Sequence, residues 1–356
     1  MVYMNSNSPD LIPHSQPMLG AAEIKKTAEV IGSGQIAQGR MVAEFETAFA
    51  DRMGVSSALA VSSGTAALHM TLAAMGIAAG DEVIMPSFVC SALLHAVSYV
   101  GAAPVPADID PVTYCIDPGD VKNRITARTR AIIVPHIFGR AADLNALLAF
   151  GVPLIEDCAQ STGGSYAGRS LGSIGHAAIF SFYATKVMTT GEGGMIVTGS
   201  HDLFERLYDL RDYDNKDDYH LRFNYKMTDL QAALGLCQLE RLPEFIGRRR
   251  QIAAQYNRSL AELPLRLPRE SSDHIFYRYV IDAGQDVTPL IETLYNKGVA
   301  CTRPVYKPLH RFLNLKGYPN TDNAWRNSLS VPLYPALSDR RVDIVCSALI
   351  DAFKGK

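Results

Sequence analysis

Residues 178–198 read AIFSFYATKVMTTGEGGMIVT, and this stretch predicts how the rest of the chain is organised. The apolar run at 177–182 is typical of a buried strand, and 195–198 has the same character. Lys186 and a glycine-rich turn lie between the two runs. Burying an ammonium group is costly, which favours the neutral amine and makes Lys186 a candidate nucleophile toward a carbonyl carbon. A surface lysine that follows an edge strand explains this stretch, taken alone, equally well.

The composition is that of an ordinary globular protein. The chain has 356 residues, of which 47% are hydrophobic and 20% charged, with a formal net charge of −2. This length predicts two domains, or one large domain with an appendage. The charge gives no support for nucleic-acid binding, no apolar run is long enough to cross a bilayer, and the N-terminus lacks the features of a signal peptide. The six cysteines are scattered without metal-ligand spacing, so we expect reduced thiols, no metal and a cytoplasmic location.

Strands and helices alternate before the lysine stretch. The predicted strands lie at 58–63, 81–86, 104–110, 131–136 and 153–159, and helical periodicity follows each of the first four. This alternation indicates a mostly parallel sheet covered by helices on both faces, in which ligands collect at the carboxyl ends of the strands. Four polar residues lie at or near such ends: Ser63, His136, Asp157 and Ser181.

The pattern changes near residue 243. A long helix is predicted at 227–242, and the elements after it are a polar helix at 248–260, a strand at 275–281, a helix at 287–297, a short strand at 299–303 and a helix at 339–353. We therefore predict an N-terminal arm at 1–16, whose prolines exclude a helix, a large α/β domain at 17–243 and a smaller α+β domain at 244–356.

The segment SSGTAALHM at 62–70 places Gly64 and Thr65 where a strand passes into a helix. The free N–H groups and the positive dipole end of a helix bind anions, so these two residues are candidates to hold a cofactor phosphate. Simple capping of the helix by Ser63 accounts for the same residues.

The segment IEDCAQS at 155–161 ends a buried strand with Asp157, and Gln160 follows it. An aspartate there can pair with the protonated pyridine nitrogen of pyridoxal 5′-phosphate (PLP), although it can also cap the next turn. Ser181 and Asn224 are further candidates with equally ordinary explanations. Taken together, these residues favour PLP held by Lys186 as a Schiff base over a surface lysine.

Motifs along most of the chain resemble, in the same order, the DegT/DnrJ/StrS family of PLP-dependent sugar aminotransferases, which have fold type I. The motifs are SGQIAQGRMVAEFE, SSGTAALHM, DEVIMPSF, HIFGRAADL, IEDCAQS, SFYATK with GEGGMIVT, NYKMTDLQAALGLCQLERL, RPVYKPLH and VPLYPALSDRRVD. Such a series is far more specific than a single glycine motif. The resemblance implies a large domain with a mostly parallel mixed sheet and a smaller C-terminal α+β domain.

The resemblance also implies roles for matching positions. Lys186 matches the lysine that forms the internal aldimine and moves the proton, Asp157 the partner of the pyridine nitrogen, and Gln160 the residue beside the ring hydroxyl. The phosphate cup is matched by three residues, namely Gly64, Thr65 and Ser181. Asn224 matches a residue donated by the neighbouring subunit, which implies a homodimer with shared active sites. The substrate region is matched by Arg303, Tyr306 and His310.

Cys90 departs from the family pattern, because members usually place an aromatic ring against the cofactor at this position. Either Phe88 swings in to replace that ring, or one face of the cofactor is covered less well. Ring stacking contributes roughly 0.5–1.5 kcal/mol, so PLP binding need not fail.

The function implied is transamination. An amino donor, expected to be glutamate or glutamine, converts PLP to pyridoxamine phosphate (PMP), and the amino group then passes to a keto-sugar, with a nucleotide-linked keto-deoxyhexose as the favoured acceptor. The alternatives are a PLP- or PMP-dependent sugar dehydratase and a non-catalytic regulatory protein on the same fold. In the dehydratase branch a histidine replaces the lysine, so Lys186 argues against it, and a regulatory protein has little reason to keep the whole residue set.

Overall fold

A computed structural model describes residues 11–354. Its strands, in chain order, are β1 (Ser57–Val61), β2 (Glu82–Pro86), β3 (Ala103–Ala107), β4 (Thr129–Pro135), β5 (Leu154–Asp157), β6 (Ser165–Tyr166), β7 (Arg169–Ser170), β8 (Ala177–Ser181), β9 (Gly194–Thr198), β10 (Tyr279–Asp282) and β11 (Ser328–Val331).

Its α-helices are α1 (Ala21–Ser33), α2 (Arg40–Met53), α3 (Gly64–Ala74), α4 (Ala92–Tyr99), α5 (Pro118–Arg124), α6 (Leu144–Leu148), α7 (His201–Leu210), α8 (Asp229–Ser259), α9 (Thr288–Asn296), α10 (Leu309–Phe312), α11 (Pro319–Asn327) and α12 (Asp339–Lys354). A 3-10 turn lies at Ile137–Gly139.

The main sheet has seven strands in the order β1-β9-β8-β5-β4-β2-β3. The pairings from β8 through β5, β4 and β2 to β3 are parallel, whereas β9 pairs antiparallel with both β8 and β1. The predicted mostly parallel mixed sheet is therefore confirmed, and each strand predicted for this sheet lies within a few residues of its observed position. Because the parallel strands point the same way, the ends of β5 and β8 lie side by side at one edge.

Helix α8 is continuous from Asp229 to Ser259, so the prediction that it ends at residue 242 is wrong. A proline inside a helix costs about 3 kcal/mol because it removes one hydrogen bond and crowds the preceding turn. Pro243 is tolerated because the helix is packed on both sides of it. Gly235 lies so close to the Phe45 ring that a Cβ atom would be 2.7 Å from it, and Tyr256 is fully buried in a second core.

The second hydrophobic core starts within helix α8 and is completed by residues from β10, β11, α9 and α12. Ile12 belongs to this core, and its backbone is hydrogen-bonded to Gly298 and Ala300 at 2.9 and 3.0 Å. The described end of the arm therefore packs on C-terminal elements. The predicted boundary between a large and a small domain at residue 243 stays a prediction.

Several elements escaped the sequence analysis, among them α7, α10, α11, β11 and the small β6–β7 hairpin. The strand expected at 299–303 is reduced to isolated bridges at Val299 and Thr302. Within the described residues, no helix combines the length and apolar character needed to cross a membrane.

Candidate active site

Lys186 lies on the connection between β8 and β9, which is folded back on itself. The Phe182 N–H donates to the Gly193 carbonyl at 2.9 Å, and the Lys186 N–H donates to the Tyr183 carbonyl at 2.8 Å. Gly193 has a φ of 155°, and a Cβ atom there would lie 2.4 Å from Thr190 Oγ1. The turn therefore requires glycine at this position, and it holds the half-buried lysine beyond the end of β8.

The start of helix α3 and the end of β8 form a cup. The Ala66 N–H donates to Ser63 Oγ at 3.1 Å, so the capping that the sequence left open does occur. It satisfies only one of the first N–H groups of the helix, which lack partners within the helix itself. A Cβ atom on Gly64 would lie 2.8 Å from the Ser181 Cβ, and Thr65 is half-buried beside Gly64. This arrangement fits a phosphate group.

Asp157 is 6% exposed at the end of β5. Its Oδ1 atom accepts from the Ala159 N–H at 3.0 Å, so it also caps the following turn. Burial raises the pKa of this carboxyl group, and the Ala159 N–H and the positive charge of Lys186 oppose that rise. A protonated pyridine nitrogen would supply a further positive partner, so the residue fits its predicted role.

Gln160 is anchored by its side-chain carbonyl. Its Oε1 atom accepts from the Phe138 N–H at 2.8 Å, and Phe138 adopts a left-handed backbone conformation with a φ of 59°. The amide NH₂ group is therefore the donor that remains for a ring hydroxyl oxygen, which is compatible with the predicted position.

Cys90 interacts electrostatically with both Lys186 and Asp157, so it lies beside the two predicted cofactor residues. Its side chain is accessible to solvent, but the cleft around it is crowded with protein atoms, and this desolvation raises the pKa of the thiol. Phe88 is fully buried, with its ring centroid 5.8 Å from that of Tyr114. Phe88 therefore does not swing in to replace the missing aromatic ring.

Beneath the site, His136 and Glu156 form a buried pair. His136 Nδ1 accepts from the Ala142 N–H at 3.2 Å, and Nε2 donates to Glu156 Oε2 at 3.1 Å. Burial alone would raise the pKa of Glu156, but hydrogen bonds from His136 and from backbone N–H groups outweigh it and lower the pKa. The Cys158 thiol lies close enough to His136 and Glu156 for the three side chains to hold a metal ion. The carboxylate is already saturated by the hydrogen bonds, so its geometry is that of a structural support.

Tyr277 was missed by the sequence analysis, although its ring lies against the lysine. The Lys186 Nζ atom is 5.4 Å from the ring centroid. A tyrosine in an apolar strand is ordinarily a core residue, so no sequence signal distinguishes this one. Only the fold, which passes residues 275–281 beside the β8–β9 connection, brings it to the site.

The three predicted substrate residues differ in their surroundings. Arg303 donates to Asp286 Oδ1 at 2.8 Å, and Tyr306 is 79% exposed. His310 is buried, with Nδ1 2.7 Å from the Ser87 hydroxyl and Nε2 3.3 Å from Asp322. Both His310 nitrogens are thus engaged, and this arrangement favours a structural role for it. Substrate contacts of these residues stay predictions.

Asn224 is exposed on the surface of the single chain. It lies next to Tyr225, whose carbonyl accepts from the Ser62 N–H at 2.8 Å, directly before the phosphate cup. The exposed position leaves its side chain available to a second subunit.

Residues 17–350 match the model of the DegT/DnrJ/EryC1/StrS aminotransferase family. The chain belongs to this family. The match spans most of the chain and includes every site residue named above.

Individual members of the DegT/DnrJ/EryC1/StrS family are similar over nearly the whole chain. GDP-perosamine synthase of Caulobacter vibrioides is 37% identical, with 87% of this chain and 90% of that protein aligned. The aminotransferase TlmJ from Streptoalloteichus hindustanus superposes with a TM-score of 0.92 at 32% identity and covers 97% of this chain and 99% of its own. The protein Spr1654 from Streptococcus pneumoniae, solved in PMP and PLP forms, is 26% identical with a TM-score of 0.90 for each. These matches cover 97% of this chain and 98% and 99% of the two solved chains.

Membership of this aminotransferase family confirms four predictions: the family, the fold type I architecture, the enzyme class and PLP as the cofactor. The roles of individual residues were predicted from local sequence patterns and from the family resemblance, and they stay predictions that the geometry above makes specific.

Proposed function

We propose that this protein transfers the amino group of glutamate or glutamine to a keto group of a nucleotide-linked sugar, and specifically of a keto-deoxyhexose. Its membership of a sugar-aminotransferase family supports this, as does its similarity to an enzyme whose name states that it makes GDP-perosamine. The observation that carries the proposal is the placement of Lys186 within electrostatic reach of the buried Asp157, at the edge of the sheet where helix α3 begins.

Each site residue then has a chemical task. PLP, when bound, supplies the electron sink. Lys186 holds the cofactor through its amine and afterwards accepts and returns the proton that transamination moves. Asp157 keeps the pyridine nitrogen protonated, and burial, which raises the pKa of its carboxyl group, makes a positive partner favourable there. The N-terminus of α3, with Ser181 opposite, holds the phosphate in one orientation.

The proposal includes a cytoplasmic homodimer whose active sites are shared. Asn224 is exposed near the entrance of its own phosphate cup, with its neighbour Tyr225 bonded to Ser62. An exposed asparagine in this position is suited to donate to the cup of a second subunit. Arg303 and Tyr306 are proposed to contact the sugar or its nucleotide.

The first experiment is an absorption spectrum of the purified protein with added PLP, followed by titration with glutamate and then glutamine. We expect the visible absorption of lysine-bound PLP, and its replacement by the spectrum of PMP as the donor is added. Nucleotide-linked keto-deoxyhexoses should then restore the first spectrum.

Lys186→Ala should abolish the visible absorption in a folded protein, and Lys297→Ala is its matched control, because Lys297 is exposed and its side chain pairs with Asp351. A spectrum that forms but ignores every amino donor would favour the dehydratase alternative. A protein that binds no PLP would favour the regulatory one.

A further inference from the structure

Tyr277 contacts the catalytic segment at two points. The Lys186 Nζ atom lies 5.4 Å from the centroid of its ring, a distance at which an ammonium group is attracted to an aromatic face. Its hydroxyl also interacts with the side chain of Thr185, the residue directly before the lysine. Tyr277 is 4% exposed, so little water competes with either contact.

Positive charge surrounds the ring from several elements. The guanidinium of Arg278 lies 5.3 Å from the ring centroid, and Arg249 of helix α8 donates to the Tyr277 carbonyl at 3.0 Å. His14 lies 3.2 Å from Arg278, but burial and this arginine hold the pKa of His14 well below its usual value, so it adds no charge at neutral pH. The charges acting on the phenol are thus those of the two arginines and Lys186.

The phenol changes its charge near neutral pH. Burial alone would raise the pKa of Tyr277, but the positive charges of Lys186 and Arg278, with help from Thr185 and Arg249, lower it to about 7. An interaction between two titrating groups is reciprocal. The charge of the phenol therefore acts on Lys186 as strongly as the lysine acts on the phenol.

We propose that Tyr277 is a positioning residue for transamination, which holds the Lys186 side chain against its ring and adjusts the charge of the amine through its own phenol. A phenolate favours the ammonium form of Lys186. When the phenol is neutral, the positive charges of the nearby arginines favour the free amine, the form that acts as nucleophile and base. Lys186 also interacts electrostatically with Asp157 and Cys90. The catalytic role of Tyr277 rests on the proposed function, but its electrostatic interaction with Lys186 does not.

The test uses the PLP-free protein. The rate at which an acylating reagent modifies Lys186 is followed against pH by mass spectrometry of the peptide that contains it. In Tyr277→Phe the rate of Lys186 modification at mildly alkaline pH should rise measurably above that of wild type, because the phenolate that favours the ammonium form is absent. In the reciprocal measurement, Lys186→Ala should move the tyrosinate absorption of Tyr277 to higher pH, because the nearest cation is lost.

Tyr279→Phe is the matched control. Tyr279 begins strand β10 two residues later and is fully buried, but its hydroxyl donates to Asn257 Oδ1 at 2.6 Å, so the Lys186 profile should stay as in wild type. A wild-type Lys186 profile in folded Tyr277→Phe would overturn the proposal. If that variant does not fold, an unchanged Tyr277 tyrosinate absorption in folded Lys186→Ala would overturn the proposal as well. If Lys186 and Tyr277 affect each other's titration but the protein never binds PLP, only the proposed function is refuted.

Discussion

Gly64, at the first position of helix α3, faces Ser181, at the last position of β8, so closely that a Cβ atom on the glycine would lie 2.8 Å from the serine Cβ. A Cβ atom is essentially never found at such a distance, so one of the two backbones would have to move. Because both residues belong to the predicted phosphate cup, this contact makes cofactor binding sensitive to a single methyl group.

Gly64→Ala should therefore weaken PLP binding by roughly 10- to 100-fold, the equivalent of one hydrogen bond to a charged group. The added methyl displaces Ser181 or the helix start from the phosphate. Fluorescence or absorption titration with PLP measures the dissociation constant. Gly32→Ala is the control, because Gly32 lies in helix α1 and a Cβ atom added there would have no other atom within 4 Å, so PLP binding should stay unchanged.

Asp157→Asn should separate stability from activity. In the folded, PLP-free protein the pKa of Asp157 is raised, so stability is lost as the pH rises through it and a buried charge forms. The asparagine variant should thus match or exceed the wild-type free energy of unfolding at neutral pH, and the difference should vanish below pH about 4, where aspartate is neutral in both states. Urea unfolding across this pH range measures it.

With PLP bound, the wild type should be the better of the two proteins, since only the aspartate can balance a protonated pyridine nitrogen. Transamination by Asp157→Asn should fall by roughly 10²-fold or more, the scale of removing one preorganised electrostatic partner. A variant with wild-type turnover would show that this residue has no part in the reaction.

The main sheet was predictable because its central strands are buried on both faces and read as continuous apolar runs. Lys186, Asp157 and Gly64 follow or end such strands, so the topology alone brings them to one edge. Sequence periodicity, by contrast, could not foresee that helix α8 continues through Pro243. That outcome depends on packing by Phe45 on one side and the second core on the other.

Contacts between distant segments were also beyond the sequence. The Tyr277 ring reaches Lys186 only through the path of residues 275–281, and the burial of His310 against Ser87 depends on where α10 docks. A motif identifies a residue type at a position in the chain. It does not reveal whether a nitrogen of that residue is already engaged by a neighbour.

Glu156→Gln should destabilise the protein by roughly 1.5–3 kcal/mol at neutral pH, because the carboxylate accepts from His136 and from the N–H groups of Gly172, Ile174 and Gly175. The pKa of Glu156 is lowered, so its contribution is present above the usual glutamate range and is lost as the pH falls. The gap between variant and wild type should therefore shrink in acid. Urea unfolding at two pH values tests this, with the exposed Glu292→Gln as a neutral control.

Mixing two inactive variants tests the shared active site. Lys186→Ala and Asn224→Ala should each be poorly active alone, but a heterodimer of the two contains one site with both native residues. Equal mixing and subunit exchange should restore about a quarter of the wild-type activity, because half the dimers are mixed and each has one intact site. No recovery after verified exchange, or a strictly monomeric protein by light scattering, would contradict the shared site.

Cys90→Phe should strengthen PLP binding, because Cys90 interacts with Lys186 and Asp157 and stands where family members usually carry an aromatic ring. Phe88 is held in the core by Tyr114 and cannot supply that ring. A stacked phenylalanine contributes roughly 0.5–1.5 kcal/mol, so the dissociation constant should fall by roughly 2- to 10-fold. Cys90→Ser, which keeps the size of the side chain without a ring, should bind PLP as wild type does. If both variants bind PLP equally, the thiol does not lie at the cofactor face, and the alignment that places it there is wrong.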